Sequence, residues 1–208
     1  LSSFNLMLSA QIWRDELKKT PILMLHGWLD NSNSFTRLAS NLEKEKIIAF
    51  DLPGHGLSQA MPPAYPYQIG ITALHCLEAL KELGLTRVKL LGHSLGGCLA
   101  LLMASLDSSR ISTIYCLDSL GPISLSAHEA CLANQDFSKI LFKDNHQEKS
   151  YQSFEEACLV REKVSLLSKE ASKSICKRGL KKNSDGSFSW RHDKRLRWPI
   201  FNAMHEDY

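Results

Sequence analysis

The 208-residue chain is 44% hydrophobic, enough to pack one domain, or one core with an insertion. Its formal net charge of +3, with acids and bases interleaved along most of the chain, argues against nucleic acid as a partner. Six cysteines without C-x-x-C spacing or histidine partners argue against zinc and fit buried thiols in a reducing, cytoplasmic compartment; no metal or cofactor is expected.

No apolar stretch approaches the ~20 residues needed to span a bilayer, so no membrane partner is expected. The start, Leu1 to Asn5, lacks both Met and the basic segment of a signal peptide, and reads as trimmed or incomplete. In chain order, the partial alternation of Leu6, Leu8, Ala10 and Ile12 predicts a half-buried antiparallel strand near a sheet edge, turning at Arg14 to Glu16. Pro21 to Leu25 is a continuous aliphatic run, the pattern of a parallel strand covered on both faces, and it ends in His26-Gly27-Trp28-Leu29-Asp30. A helix follows, capped by Asn33 or Ser34, with Phe35, Leu38 and Leu42 on one face. Lys46 to Phe50 is a second buried strand leading into Asp51-Leu52-Pro53-Gly54-His55-Gly56-Leu57-Ser58. Ile71, Leu74, Leu77, Leu80 and Leu83 predict a helix within residues 66–83, stopped by Gly84.

Val88 to Leu91 then predicts a strand and Leu95 to Leu106 a helix, joined by Gly92-His93-Ser94-Leu95-Gly96. A serine at the tip of so sharp a strand-to-helix turn takes a strained backbone conformation, so the positions two before and two after it must be small. Gly92 and Gly96 meet that need. The turn lifts the Ser94 hydroxyl clear of the sheet and aims the Leu95 amide where a carbonyl oxygen would become an oxyanion. The stretch reads as a nucleophile elbow. Ile111 to Leu117 predicts one more strand, ending at Asp118. Alternating strands and helices call for a mostly parallel sheet, with His26, Asp51, Ser94 and Asp118 all on the rim beyond the strands' carboxyl ends. After Ser119 the rhythm changes. Residues 127–178 carry helical periodicity through Phe154, Cys158, Val164 and Leu167 but no convincing strand, and residues 186–196 close this helical insertion before Trp198-Pro199.

With the elbow, His26-Gly27-Trp28 and the Asp51 to Ser58 stretch, the chain resembles the α/β-hydrolase superfamily over residues 6–118. Trp190-Arg191-x-Asp193-x-Arg195-Leu196 is similar to the serine hydrolase-like subgroup. The resemblance implies an α/β-hydrolase fold, with a core over 1–118, a helical cap or lid over 119–200, and a return to the core beginning at 201–208. It also implies that the Trp28 amide joins that of Leu95 as oxyanion donor, with Gly27, Gly92, His93 and Gly96 supporting the elbow and rim. Some members of the superfamily supply the triad acid from the position of Asp118. The family's general-base histidine lies beyond the last sheet strands, which this chain does not contain, so it reads as truncated before them.

The reaction implied is cleavage of a small ester or thioester through an acyl-enzyme on Ser94, with a small-molecule acyl substrate. The alternative is a non-catalytic product that keeps the oxyanion cradle but cannot turn over. Among residues present, His93 and Asp51 are read as structural, His26 and His55 as buttresses of the rim loops, and His192 and His205 as poor candidates for the base. Lys173, Lys177, Arg178, Lys181 and Lys182 are read as a solvated helix end, and Trp190 and Trp198 as packing anchors. The strand Ile111 to Leu117 would be an uncovered aliphatic edge, so the 208-residue chain is expected to self-associate or dissolve poorly. Sedimentation tests this: a monomer with a sharp thermal transition contradicts it.

Overall fold

A computed structural model describes residues 5–63, 65–119 and 149–198, together with positions 121, 124–126, 128, 129, 131, 132, 135, 204 and 205. The central sheet has strands β1 (Ala10–Trp13), β2 (Ile22–Leu25), β3 (Ile47–Phe50), β4 (Val88–His93) and β5 (Ile111–Leu117) in the order β1-β3-β2-β4-β5. β1 is antiparallel to β3 at the edge, and the remaining pairs are parallel. The predicted alternation is therefore present, and the α/β-hydrolase order of elements with it.

The two periods of the sequence build the core. Along β2, Leu23 and Leu25 face one side with Ile48, Phe50 and Leu90, where α2 (Ile69–Glu82) and α3 (Leu95–Leu106) cover them. Ile22 and Met24 face the other side with Ile47, Ala49 and Leu91, under Phe35 and Ala39. Strand residues buried on both faces leave no polar position, which is why these strands read as unbroken aliphatic runs. Phe35 ends a 3₁₀ turn (Ser32–Phe35) that runs into the short α1 (Thr36–Asn41). The cap differs from expectation: Asn31, not Asn33 or Ser34, turns its side chain back to accept from the Asn33 amide. This Asx turn, two residues before the nearer expected cap, satisfies the Asn33 amide while the Asn33 side chain is drawn away to Gln11 and Ser174.

β5 is the last strand of the sheet among the described residues, and Tyr115, Cys116 and Leu117 on it are exposed. A two-residue strand β6 (Ser124–Leu125) pairs in parallel with β10 (Met204–His205), so 204 and 205, the described part of 201–208, make a separate two-stranded sheet. Residues 136–148 of the expected helical insertion lie outside the described residues. From 149 onward the chain holds α4 (Phe154–Ser165) and α5 (Lys169–Gly179), capped by Ser153 and Ser168. It also holds a three-stranded antiparallel sheet, β7 (Ser150–Tyr151), β9 (Phe188–Trp190) and β8 (Leu180–Lys182), which the helical reading did not contain. Strands of two and three residues are too short for period-two alternation to register. No helix among the described residues is long and apolar enough to cross a membrane.

The segment 149–198 is fastened to the sheet's rim by buried polar bonds rather than by apolar contact alone. Arg178 is not a solvated helix end: its Nε donates to Asp51 at 2.7 Å and its guanidinium also reaches the Ser9 hydroxyl at 2.8 Å. Asp51 is fully buried and the Arg178 side chain is 13% exposed, so the pair sits where a lone charge is costly. Arg178→Met is expected to lower stability by about 3 kcal/mol in urea unfolding, since it leaves the Asp51 carboxylate buried without its cation. A loss below about 1 kcal/mol, the worth of a surface pair, contradicts this.

Candidate functional site

Ser94 joins β4 to α3 at φ 51° and ψ −117°, a region L-residues occupy only under constraint. The constraint is steric. A Cβ at Gly96 would collide with the Leu25 carbonyl oxygen, and one at Gly92 with the backbone of Gly96. A Cβ at Gly97 would lie 2.6 Å from that of Ser119. Strand and helix backbones thus touch on both sides of the serine, and the Ser94 amide is held by the Leu117 carbonyl of β5 at 3.0 Å. The Ser94 side chain is half-buried and makes no capping bond. Leu95, as the first residue of α3, has an amide with no partner inside the helix.

The loop after β2 lies against this elbow. Gly27 is buried, and a Cβ there would be 3.1 Å from His93 Nδ1 and 3.6 Å from an Asp30 carboxylate oxygen. His93, read as rim support, therefore packs its ring against Gly27. Trp28 follows, 52% exposed, with its indole N–H donating to the Leu196 carbonyl at 2.8 Å. Asp118, the candidate acid, is exposed at the end of β5 with φ 52°.

Two histidines lock the rim loops to each other. His26 Nδ1 donates to the Gly27 carbonyl at 2.8 Å, and its Nε2 accepts from the Leu52 amide at 3.0 Å. His55 Nδ1 donates to the Pro53 carbonyl at 3.0 Å, and its Nε2 accepts from the Leu29 amide at 3.1 Å. Each carbonyl can only accept and each amide can only donate, so both rings are neutral with the proton on Nδ1. The loop after β2 thus holds the loop after β3 through His26, and is held by it through His55. The rings meet edge to face at 5.0 Å. Both are buttresses, and neither has a nitrogen left for proton transfer.

Asp51 completes the frame. Its carboxylate accepts from the Ser32 amide and the Leu57 amide, both at 2.8 Å, besides pairing with Arg178. At Gly56, φ 52°, a side chain would strike that carboxylate. Asp30 on the Trp28 loop pairs with Arg161 of α4. The Asp193 and Arg195 stretch anchors the far side: Tyr67 donates to Asp193 at 2.8 Å, the Asp193 amide donates to the Gly54 carbonyl at 2.8 Å, and Arg195 binds the carbonyls of Met61, Pro62 and Tyr65. Trp190 packs as expected, its ring against Gly179 and its N–H on the Tyr151 hydroxyl. Sequence reasoning missed Arg161, Arg178 and Asn31 as parts of this frame, because their partners lie 131, 127 and 144 residues away. His192 stands near Trp190, its pKa pushed down to about 4 by burial and by Arg197 and Arg161, far below the range of a general base at neutral pH. Among the described residues, no three His, Cys, Asp or Glu side chains gather as a metal site would require.

Burial also pushes His26 below the ordinary histidine range and His55 well below it. The sign follows from linkage. Above the unfolded value of 6.5 both states are neutral and the contribution is complete. As pH falls below it, the unfolded chain takes up protons that the folded chain refuses, and stability drops until the folded values are reached. Each histidine is therefore expected to remove up to about 1.4 kcal/mol per pH unit between about pH 6.5 and 5, before most carboxylates titrate. Urea midpoints unchanged over that window contradict the neutral staple.

A family model described as alpha/beta hydrolase fold matches residues 20–157. The chain is 29% identical over 200 residues to a serine hydrolase-like protein of Mus musculus, covering 92% of this chain and 63% of that protein. It is 31% identical over 122 residues to Lipase 3 of Moraxella sp., covering 58% of this chain and 38% of the lipase. The crystal structure of a hypothetical protein from Pseudomonas aeruginosa PAO1 superposes with a TM-score of 0.89 at 32% identity, covering 97% of this chain and 72% of that one. With two thirds of its residues inside the family match and the strand order and elbow in place, the chain belongs to the alpha/beta hydrolase fold family.

Proposed function

We propose that the chain carries the nucleophile and the oxyanion amides of a serine hydrolase that cleaves a small ester or thioester. The observation that carries this reading is the backbone of Ser94: a serine held at φ 51°, between two glycines that admit no Cβ, with its hydroxyl not spent on capping the helix behind it. Strain of that kind persists only where the surroundings enforce it, and it costs on the order of 1–3 kcal/mol. Likeness to a serine hydrolase-like protein and to a lipase supports the same class of reaction.

In this mechanism Ser94 Oγ attacks the acyl carbon while a histidine accepts its proton, and the carbonyl oxygen takes up the electron pair. The amides of Trp28 and Leu95 donate to that oxyanion, each worth on the order of 3 kcal/mol because the charge exists only in the transition state. The alcohol or thiol leaves with the proton, and water releases the acyl group from Ser94 by the reverse sequence. His26 and His55 are excluded as the base by their own hydrogen bonds, and Asp118 is a proposed acid. The chain spans 63% of the mouse relative's length, and we propose that the base belongs to polypeptide corresponding to the remainder of that relative.

A fluorophosphonate added to the polypeptide that includes that remainder is expected to label Ser94, located by peptide mass. Ser94→Ala should lose the label and lower kcat/KM for p-nitrophenyl acetate by about a thousandfold or more. Labelling at another residue, or hydrolysis that survives Ser94→Ala, contradicts the reading.

A further inference from the structure

Where α4 meets α5, each helix buries one thiol. The Ser172 hydroxyl of α5 donates to the Cys158 carbonyl of α4 at 2.6 Å, and Cys176 lies one turn further along the same face of α5. Cys158 and Cys176 share a buried cluster with Tyr151, Ala157 and Leu180. Both are free thiols. Thiols that share one buried cluster across two packed helices can be brought to bonding distance by side-chain rotation and a small helix shift.

We propose that Cys158 and Cys176 are a reversible disulfide site that ties α4 to α5 when the chain meets a small-molecule disulfide such as oxidised glutathione. The Cys158 thiolate attacks one sulfur of the small disulfide and expels its other half as a thiolate, leaving a mixed disulfide on Cys158. The Cys176 thiolate then attacks the Cys158 sulfur and expels the second half. Two electrons pass from the cysteines to the small disulfide, and the two thiol protons end on the two small thiols released.

Cys158 is the attacking residue because it retains 4% exposure, on a helix whose Leu159 and Val164 already face solvent, whereas Cys176 is fully enclosed. Burial pushes the Cys176 thiol up to about 12 and raises that of Cys158, so exchange is slow and is paced by local opening of α4. The bond would act on the rim. Arg161 of α4 holds Asp30 beside Gly27, and Arg178 of α5 holds Asp51, so fixing one helix to the other fixes the spacing of the two arginines that clamp the rim loops.

The test is treatment of the reduced chain with oxidised glutathione, in buffer and in urea below the unfolding midpoint to speed local opening. Alkylation without reductant and peptide mapping follow. The expected product has a cross-linked peptide pair, Cys158 to Cys176, lighter by two hydrogens, while exposed Cys116 and Cys131 carry glutathione. The oxidised protein should melt roughly 5 °C higher. In Cys176→Ser, Cys158 should stop at the glutathione adduct and the melting shift should vanish. Recovery of Cys158 and Cys176 as separate adducts, or as alkylated thiols in urea after Cys116 and Cys131 have reacted, overturns the proposal.

Discussion

The structure depends first on a steric constraint: at the end of β4 the backbone must reverse into α3 so tightly that no Cβ fits at Gly92 or Gly96. A collision between helix and strand backbones cannot be relieved by a rotamer, so the two glycines are required by the approach itself, not by flexibility. That approach drives Ser94 to a positive φ, leaves its hydroxyl out of helix capping, and places the Leu95 amide at a helix start, where it has no partner inside the helix. The core on both faces of the sheet supplies the rigidity that holds this strain. Leu25 is part of that core, and its carbonyl is also the surface against which Gly96 packs.

Around the elbow, the rim is built from loops, which would be the softest part of the fold if left to themselves. They are cross-braced instead. His26 and His55 exchange bonds between the loops after β2 and β3, Asp51 gathers amides from the 3₁₀ turn and from Leu57, and arginines from α4 and α5 neutralise Asp30 and Asp51. Low dielectric makes each brace strong while complete and costly when one member is lost. The oxyanion cradle we propose would demand such a frame, because its two amides would have to be held to within a fraction of an ångström, and the fastening of Asp193 and Arg195 to Gly54, Met61 and Tyr67 extends the bracing outward.

Much of this was legible in the sequence wherever a local rule governs. Leu95–Leu106 and Ile111–Leu117 have the predicted bounds, because apolar period and flanking polar residues decide them without help from distant chain. The elbow was legible because its requirement is for small residues at fixed spacing. The buttress roles of His26 and His55 were anticipated, but not their reciprocity, which needs both loops in place. Arg178 was misread because i,i+4 spacing of basic residues looks like a solvated face; only the docking of α5 onto the rim turns one of them inward. The small sheet β7-β9-β8 was missed because its strands are shorter than the period that would announce them. Asn31 was passed over for its neighbours since four adjacent polar residues, Asn31 to Ser34, offer the same capping chemistry, and tertiary bonds to Ser174 and Ile175 choose among them.

The most direct measurement is a crystal structure of the polypeptide with a phosphonate bound covalently at Ser94, whose phosphoryl oxygen stands where the oxyanion would form. The account predicts that oxygen within about 2.7–3.1 Å of the amide nitrogens of both Trp28 and Leu95. A phosphoryl oxygen turned away from either amide, or a Ser94 relaxed to an ordinary negative φ, would contradict it.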